Sequence, residues 1–128
     1  QLPQIIEAGQ YAVEDFQSFI LKCKEISYGP EMQKRMIWLN LEKNEFLLQL
    51  KIKLEKALES NGIDFQEENR EFKPHITLAR LKFGADRPME QIKKPYLKDF
   101  PVEEIVLFSS SLKKAGAEYV QIQRFVLN

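Results

Sequence analysis

Residues 35–62 read RMIWLNLEKNEFLLQLKIKLEKALESNG, and their hydrophobic period changes halfway along. RMIWLNL (35–41) alternates: Met36 and Trp38 point one way, Ile37, Leu39 and Leu41 the other, as in a β-strand. From residue 45 the period becomes helical, with Leu47, Leu50, Leu54, Ala57 and Leu58 forming one apolar stripe. Asn44 suits the N-cap and Asn61-Gly62 supplies the stop, so the spacing predicts a helix over 45–60. The lysines and glutamates between the leucines are the solvated face of that helix.

Upstream, residues 2–9 read as the end of a helix closed by Gly9. In DFQSFILKCK (15–24) apolar residues fall on both faces, which predicts a strand packed on two sides or one with a mobile register. SYGP (27–30) is a turn signal. Downstream, IDFQEENREF (63–72) suggests a strand, a polar turn and a return, and a strand follows from His75 to Phe83. A short helix is expected around Pro88–Lys94, interrupted by Pro95. The end reads as a hairpin, with VEEIVLFSSSL (102–112) and YVQIQRFVLN (119–128) joined by the loop KKAGAE (113–118). Strands returning on one another around one long helix imply an α+β domain with largely antiparallel sheets.

At 128 residues the chain fits a single domain. Its 19 basic and 19 acidic residues cancel, so any contact with nucleic acid is local, at a groove, and not a broad basic face. Cys23 is the only cysteine, which excludes an internal disulfide and a cysteine-based zinc site. Its apolar neighbours make it a small buried thiol and not a reactive one. No stretch approaches a membrane span or a signal peptide, and a cytoplasmic location is expected. The sequence starts with Gln1 followed by LPQII, which reads as the interior of a longer protein.

FKPHITLAR (72–80) holds the only histidine. Strand alternation puts His75 and Thr77 on one face, with Ile76 and Leu78 on the other as core anchors. Pro74 suits the first position of such a strand. Imidazole moves protons near neutral pH, and a threonine hydroxyl can donate to a phosphate oxygen. The pair therefore suits phosphoester chemistry, although a hydrogen-bonded structural histidine would show the same triplet. Alternation places Arg80 with Ile76 and Leu78, away from His75, unless a bulge reverses it. Phe72, Phe83, Tyr28 and Tyr119 are the aromatics available to stack on a base, and each also reads as core.

Taken together, RMIWLNL before an amphipathic helix, FKPHITLAR, VEEIVLFSSSL and GAEYVQIQRFVL resemble, in order, the C-terminal two-thirds of the 2H phosphoesterases. The likeness is to the bacterial and archaeal RNA 2′,3′-cyclic phosphodiesterases, once named 2′-5′ RNA ligases. The resemblance implies two α+β lobes with largely antiparallel sheets around a groove, each contributing one His-x-Thr-x motif. It implies RNA or a nucleotide with a 2′,3′-cyclic phosphate end as substrate, opened to a phosphomonoester, typically the 2′-phosphate. It implies no metal or other cofactor. His75 would activate water as general base, Thr77 would hold a phosphate oxygen, and Arg80, Phe72 and Tyr119 are candidate substrate contacts. The first motif is absent from residues 1–128, and residues 1–9 resemble the helix that follows it. The expectation is one 2H-like domain lacking the N-terminal segment that carries the proton donor. Two further readings stand beside it: a non-catalytic nucleotide- or RNA-binding module with one motif, and a structural domain with a buried His75.

Overall fold

A computed structural model describes residues 1–30, 33–66, 71–82 and 97–128 of the chain. In chain order these are helix α1 (Leu2–Val13), strands β1 (Phe19–Leu21), β2 (Cys23–Gly29) and β3 (Met36–Leu41), helix α2 (Glu45–Ser60), then β4 (His75–Arg80), β5 (Phe100–Val102), β6 (Glu104–Lys113) and β7 (Gly116–Val126). The chain divides into two compact units: one holds α1, α2, β6 and β7, the other β2, β3 and β4. It passes between them four times, two of these within the three-residue strands β1 and β5 and one just ahead of α2.

In the first unit, α2 has the bounds that the leucine spacing predicts, with Leu50 and Ala57 buried on its stripe. Its end follows from Asn61-Gly62. The Asn61 side chain donates to the Ala57 carbonyl at 2.8 Å, and Gly62 takes φ 74°, where a Cβ would be strained. The charged face is not wholly solvated, since Lys53 donates to the Glu14 carbonyl and lies 5.2 Å from the centre of the Tyr11 ring. Helix α1 runs four residues beyond its expected close. Gly9 does not stop it, because Gly9 is where the helix meets Phe125: a Cβ there would come within 2.5 Å of the ring. The small buried residues Ala8, Gly9 and Ala12 admit Phe125 and Leu127, and this is the unit's core. Filling such a site with Leu50 or Phe125 is worth about 1.5–3 kcal/mol per side chain.

The β6–β7 hairpin is longer than expected. Lys113 pairs with Gly116, so only Lys114 and Ala115 form the loop, with Gly116 at φ 124°. The expected strand over 15–24 begins only at Phe19 and is interrupted once. Asp15 adopts a left-handed φ of 59°, and Lys22 separates β1 from β2. Residues 27–29 of the expected turn are strand, and the chain turns after them with Gln33 and Lys34 donating to the Pro30 carbonyl.

In the second unit, β3 lies between β2 and β4 in an antiparallel sheet. Its apolar face carries the buried Cys23, Leu39 and Leu41. No strand forms over 63–66 or 71–74, correcting the expectation for 63–72. The short helix expected at 88–94 lies outside the described residues, as does Phe83.

Candidate active site on the central sheet

Register decides what shares a face with His75, because residues directly opposite one another in a ladder point the same way. Asn40 pairs with His75 and Trp38 with Thr77. Between these and the next pairs β4 contributes one extra residue: Ile37 opposes Ala79 and Met36 opposes Arg80. Leu78 is thus the unpaired residue of a β-bulge. On β3, Met36, Trp38 and Asn40 follow ordinary alternation against β2. Their partners Arg80, Thr77 and His75 therefore occupy one face. Strict alternation along β4 had put Arg80 on the opposite side, and the bulge at Leu78 overturns that placement.

The other expectation for β4 also changes. Ile76 and Leu78 are 39% and 49% exposed, so neither is a buried anchor. What holds His75 comes from its own face and from the turn before it. Its Nδ1 lies 2.7 Å from the Lys73 carbonyl oxygen. A carbonyl only accepts, so Nδ1 carries the hydrogen of this bond, and Nε2 is the nitrogen that serves as acceptor when the ring is neutral. The ring stacks on Trp38, with centroids 3.8 Å apart and planes 18° from parallel. Pro74, with no N–H to satisfy, is buried at the start of the strand, and its carbonyl accepts from the Leu41 amide at 3.0 Å. Among the described residues, the side chains of Thr77 and Arg80 have no hydrogen-bond or ion-pair partner. A hydroxyl donor and a guanidinium thus stand uncommitted on the same strand face as the imidazole.

A cavity of about 440 Å³ adjoins this face. Tyr28, Trp38 and Phe72 supply its aromatic wall, and Ser27, Asn40 and Lys73 its polar one. Asn40 donates from Nδ2 to Ser27 Oγ at 2.8 Å and to the Glu25 carbonyl at 3.3 Å, leaving Oδ1 as an acceptor. At the rim, Lys43 donates to the Glu71 carboxylate at 2.6 Å. That bond, with the attraction of the two charges, raises the ammonium above 10.5 and lowers the carboxyl below 4.5. Of the candidate aromatics, Phe72 and Tyr28 line this cavity, whereas Tyr119 belongs to the other unit, exposed on β7 with Phe108 edge-on at 6.4 Å. Trp38, Asn40, Ser27 and Gly29 were not singled out from sequence. Only the pairing of strands distant in sequence brings them to His75.

Among the described residues no group of three or more His, Cys, Asp or Glu side chains is placed to hold a metal ion, and no helix is long and apolar enough to cross a membrane.

Antiparallel sheets, a long amphipathic helix and a His-x-Thr pair on one strand face define the class as an α+β domain. The chain belongs to the LigT like Phosphoesterase family, whose model matches residues 40–119. It is 32% identical over 113 residues to an RNA 2′,3′-cyclic phosphodiesterase of Thermotoga maritima, covering 84% of this chain and 57% of that protein. A second RNA 2′,3′-cyclic phosphodiesterase, from Thermus thermophilus, is 27% identical, with 99% of this chain and 65% of the relative covered. The chain thus spans less than two thirds of the length of either relative. Among solved structures, a Thermus thermophilus protein superposes with a TM-score of 0.76 at 28% identity, covering 98% of this chain and 69% of that one. Escherichia coli LigT complexed with 3′-AMP gives 0.75 at 23% identity, covering 99% and 70%, and shares the fold.

Proposed function

We propose that the full-length protein containing this chain hydrolyses the 2′,3′-cyclic phosphate end of RNA or of a nucleotide. The observation that carries this reading is the common face of His75, Thr77 and Arg80, with Nε2 of His75 left as the acceptor. The relatives' names supply the substrate class. In the reaction, Nε2 takes a proton from water as the water oxygen bonds to phosphorus. The bond from phosphorus to the 3′ oxygen breaks, leaving a 2′-phosphate, and that oxygen takes a proton from a second acid. His75 cannot be that acid in the same displacement. The resemblance assigns the role to a histidine of the first His-x-Thr-x motif, outside residues 1–128. Thr77 donates to a non-bridging phosphate oxygen, and Arg80 meets the charge that builds on the phosphoryl group. Phe72 in the cavity and Tyr119 on β7 are the surfaces offered to bases of the RNA. Run backwards, with a 5′-hydroxyl in place of water, the same step forms a 2′-5′ link.

The test is His75→Ala in the full-length protein. Loss of a general base predicts a fall in kcat of about 10²–10⁴-fold on a 2′,3′-cyclic nucleotide or RNA end. Binding of a 2′-phosphorylated end is expected to persist. Unchanged turnover overturns the proposal. Binding without turnover in the unaltered protein favours the non-catalytic nucleotide-binding reading.

A further inference from the structure

We infer that Trp38 is a positioning residue for His75, and that Gly29 is the seat that lets it act; this rests on the function proposed above. The Nδ1 hydrogen bond to Lys73 fixes which nitrogen of His75 carries the proton, but one bond leaves the ring free to tilt about it. The second constraint is the indole. Trp38 sits opposite Thr77, two ladder positions from the His75–Asn40 pair on the same face, and its ring reaches diagonally to stack on the imidazole with centroids 3.8 Å apart. With the plane set by the stack and the tautomer by the carbonyl, Nε2 is held in one direction before substrate arrives.

The indole is itself held by an absence. Gly29 lies on β2, opposite Met36, and a Cβ there would fall within the Trp38 ring at Cδ2, Cε2 and Cε3. The ring therefore lies against bare backbone, and any side chain at 29 would displace it. The indole Nε1 is buried with no hydrogen-bond partner among the described residues. An aliphatic residue would avoid that cost, so filling space does not explain a ring here; a ring face under the imidazole does. The same face is electrostatically suited to the positive charge the imidazole gains when it takes a proton from water.

The test compares Trp38→Phe, Trp38→Leu and Gly29→Ala in the full-length protein. Displacing a catalytic group by about 1 Å costs up to about 100-fold in rate, so Trp38→Leu and Gly29→Ala are expected to lower kcat by about 10–100-fold, with KM within about threefold. Trp38→Phe, which keeps a ring face, is expected to stay within about threefold of the unaltered kcat. The ring-proton NMR resonances of His75, assigned by their loss in His75→Gln, carry the upfield ring-current displacement of a stacked imidazole. They keep it in Trp38→Phe and lose it in the other two variants. If Trp38→Leu does not fold, Gly29→Ala decides alone by the same two readings. Unmoved kcat, or resonances without a ring-current displacement in the unaltered protein, overturns the inference. If His75→Gln itself hydrolyses normally, the proposed function fails instead, and the resonances still judge the stack.

Discussion

The β3–β4 pair and the β6–β7 pair contain the same irregularity, one extra residue on the later strand, and it serves them differently. In β4 the extra residue is Leu78, and it turns Arg80 onto the face of His75 and Thr77. In β7 Leu107 opposes Gln123 and Phe108 opposes Gln121, so the extra residue is Ile122. Counting back from the buried Phe125, strict alternation would put Tyr119 and Gln121 on the core side of the hairpin. The bulge sends them to the face of Glu104, Phe108 and Arg124. One bulge turns a cation onto the face of an imidazole and a hydroxyl; the other turns an aromatic onto the face of an arginine already tied to a carboxylate. A bulge therefore supplies reach, and the residues it turns decide the chemistry.

The comparison sharpens most at Arg80. Its guanidinium has no partner among the described residues. Arg80→Ala is expected to lower kcat/KM by about 10- to 150-fold, as loss of a charge-assisted hydrogen bond implies. Arg80→Lys, which keeps the charge and loses the fork, recovers part of that. Steady-state kinetics on a cyclic nucleotide reads both, and wild-type values in Arg80→Ala would break the assignment of that face. A smaller effect is expected from the other bulge. Tyr119→Ala should raise KM for an RNA end by about 5–20-fold with kcat unchanged, the loss of one stacking platform. A KM that does not change for any RNA length would remove Tyr119 from the substrate path.

The smallest effect belongs to Arg124, which donates to Glu104 at 2.9 and 2.5 Å. The hydrogen bond from Arg124, opposed by slight desolvation, lowers the Glu104 carboxyl below 4.5. A lowered carboxyl contributes stability above its unfolded value and loses it as pH falls through the folded value. Glu104→Gln should therefore give a slight drop in Tm at neutral pH and low salt. The difference should shrink as the pH falls from the unfolded value through the lowered folded one and, separately, in high salt. A large drop independent of salt would mean that the pair is structural in a way its exposure does not suggest.

Which parts of this were legible in the sequence follows from how local their causes are. Helix α2 is set by its leucine stripe and its Asn61-Gly62 stop, all within a few turns, and both bounds can be read from residues 44–62. Strand β3 alternates cleanly, and its two faces are as expected. Gly9 misled because its reason lies more than a hundred residues away, in the ring of Phe125. At the site, the shared face of His75 and Thr77 is a property of three consecutive residues. Arg80's placement is a property of a ladder, and nothing in HITLAR announces that Leu78 is left unpaired. Trp38, Asn40 and Gly29 belong to the same case. Each is an ordinary strand residue until the pairing of β2, β3 and β4 brings it to the imidazole.

Deleting Leu78 in the full-length protein tests the central claim most directly, with kcat/KM on a 2′,3′-cyclic nucleotide as the reading and far-ultraviolet circular dichroism as the check on folding. With the extra residue gone, Thr77, Ala79 and Arg80 alternate strictly, and Arg80 stays opposite Met36 on the face of His75 and Thr77. A folded deletion variant is expected to keep kcat/KM within about threefold of the unaltered protein, and adding Arg80→Ala is expected to cost it about the same 10- to 150-fold as in the unaltered strand. A fall in the deletion variant as large as that of Arg80→Ala, or no cost of Arg80→Ala in the unaltered protein, would contradict the shared face.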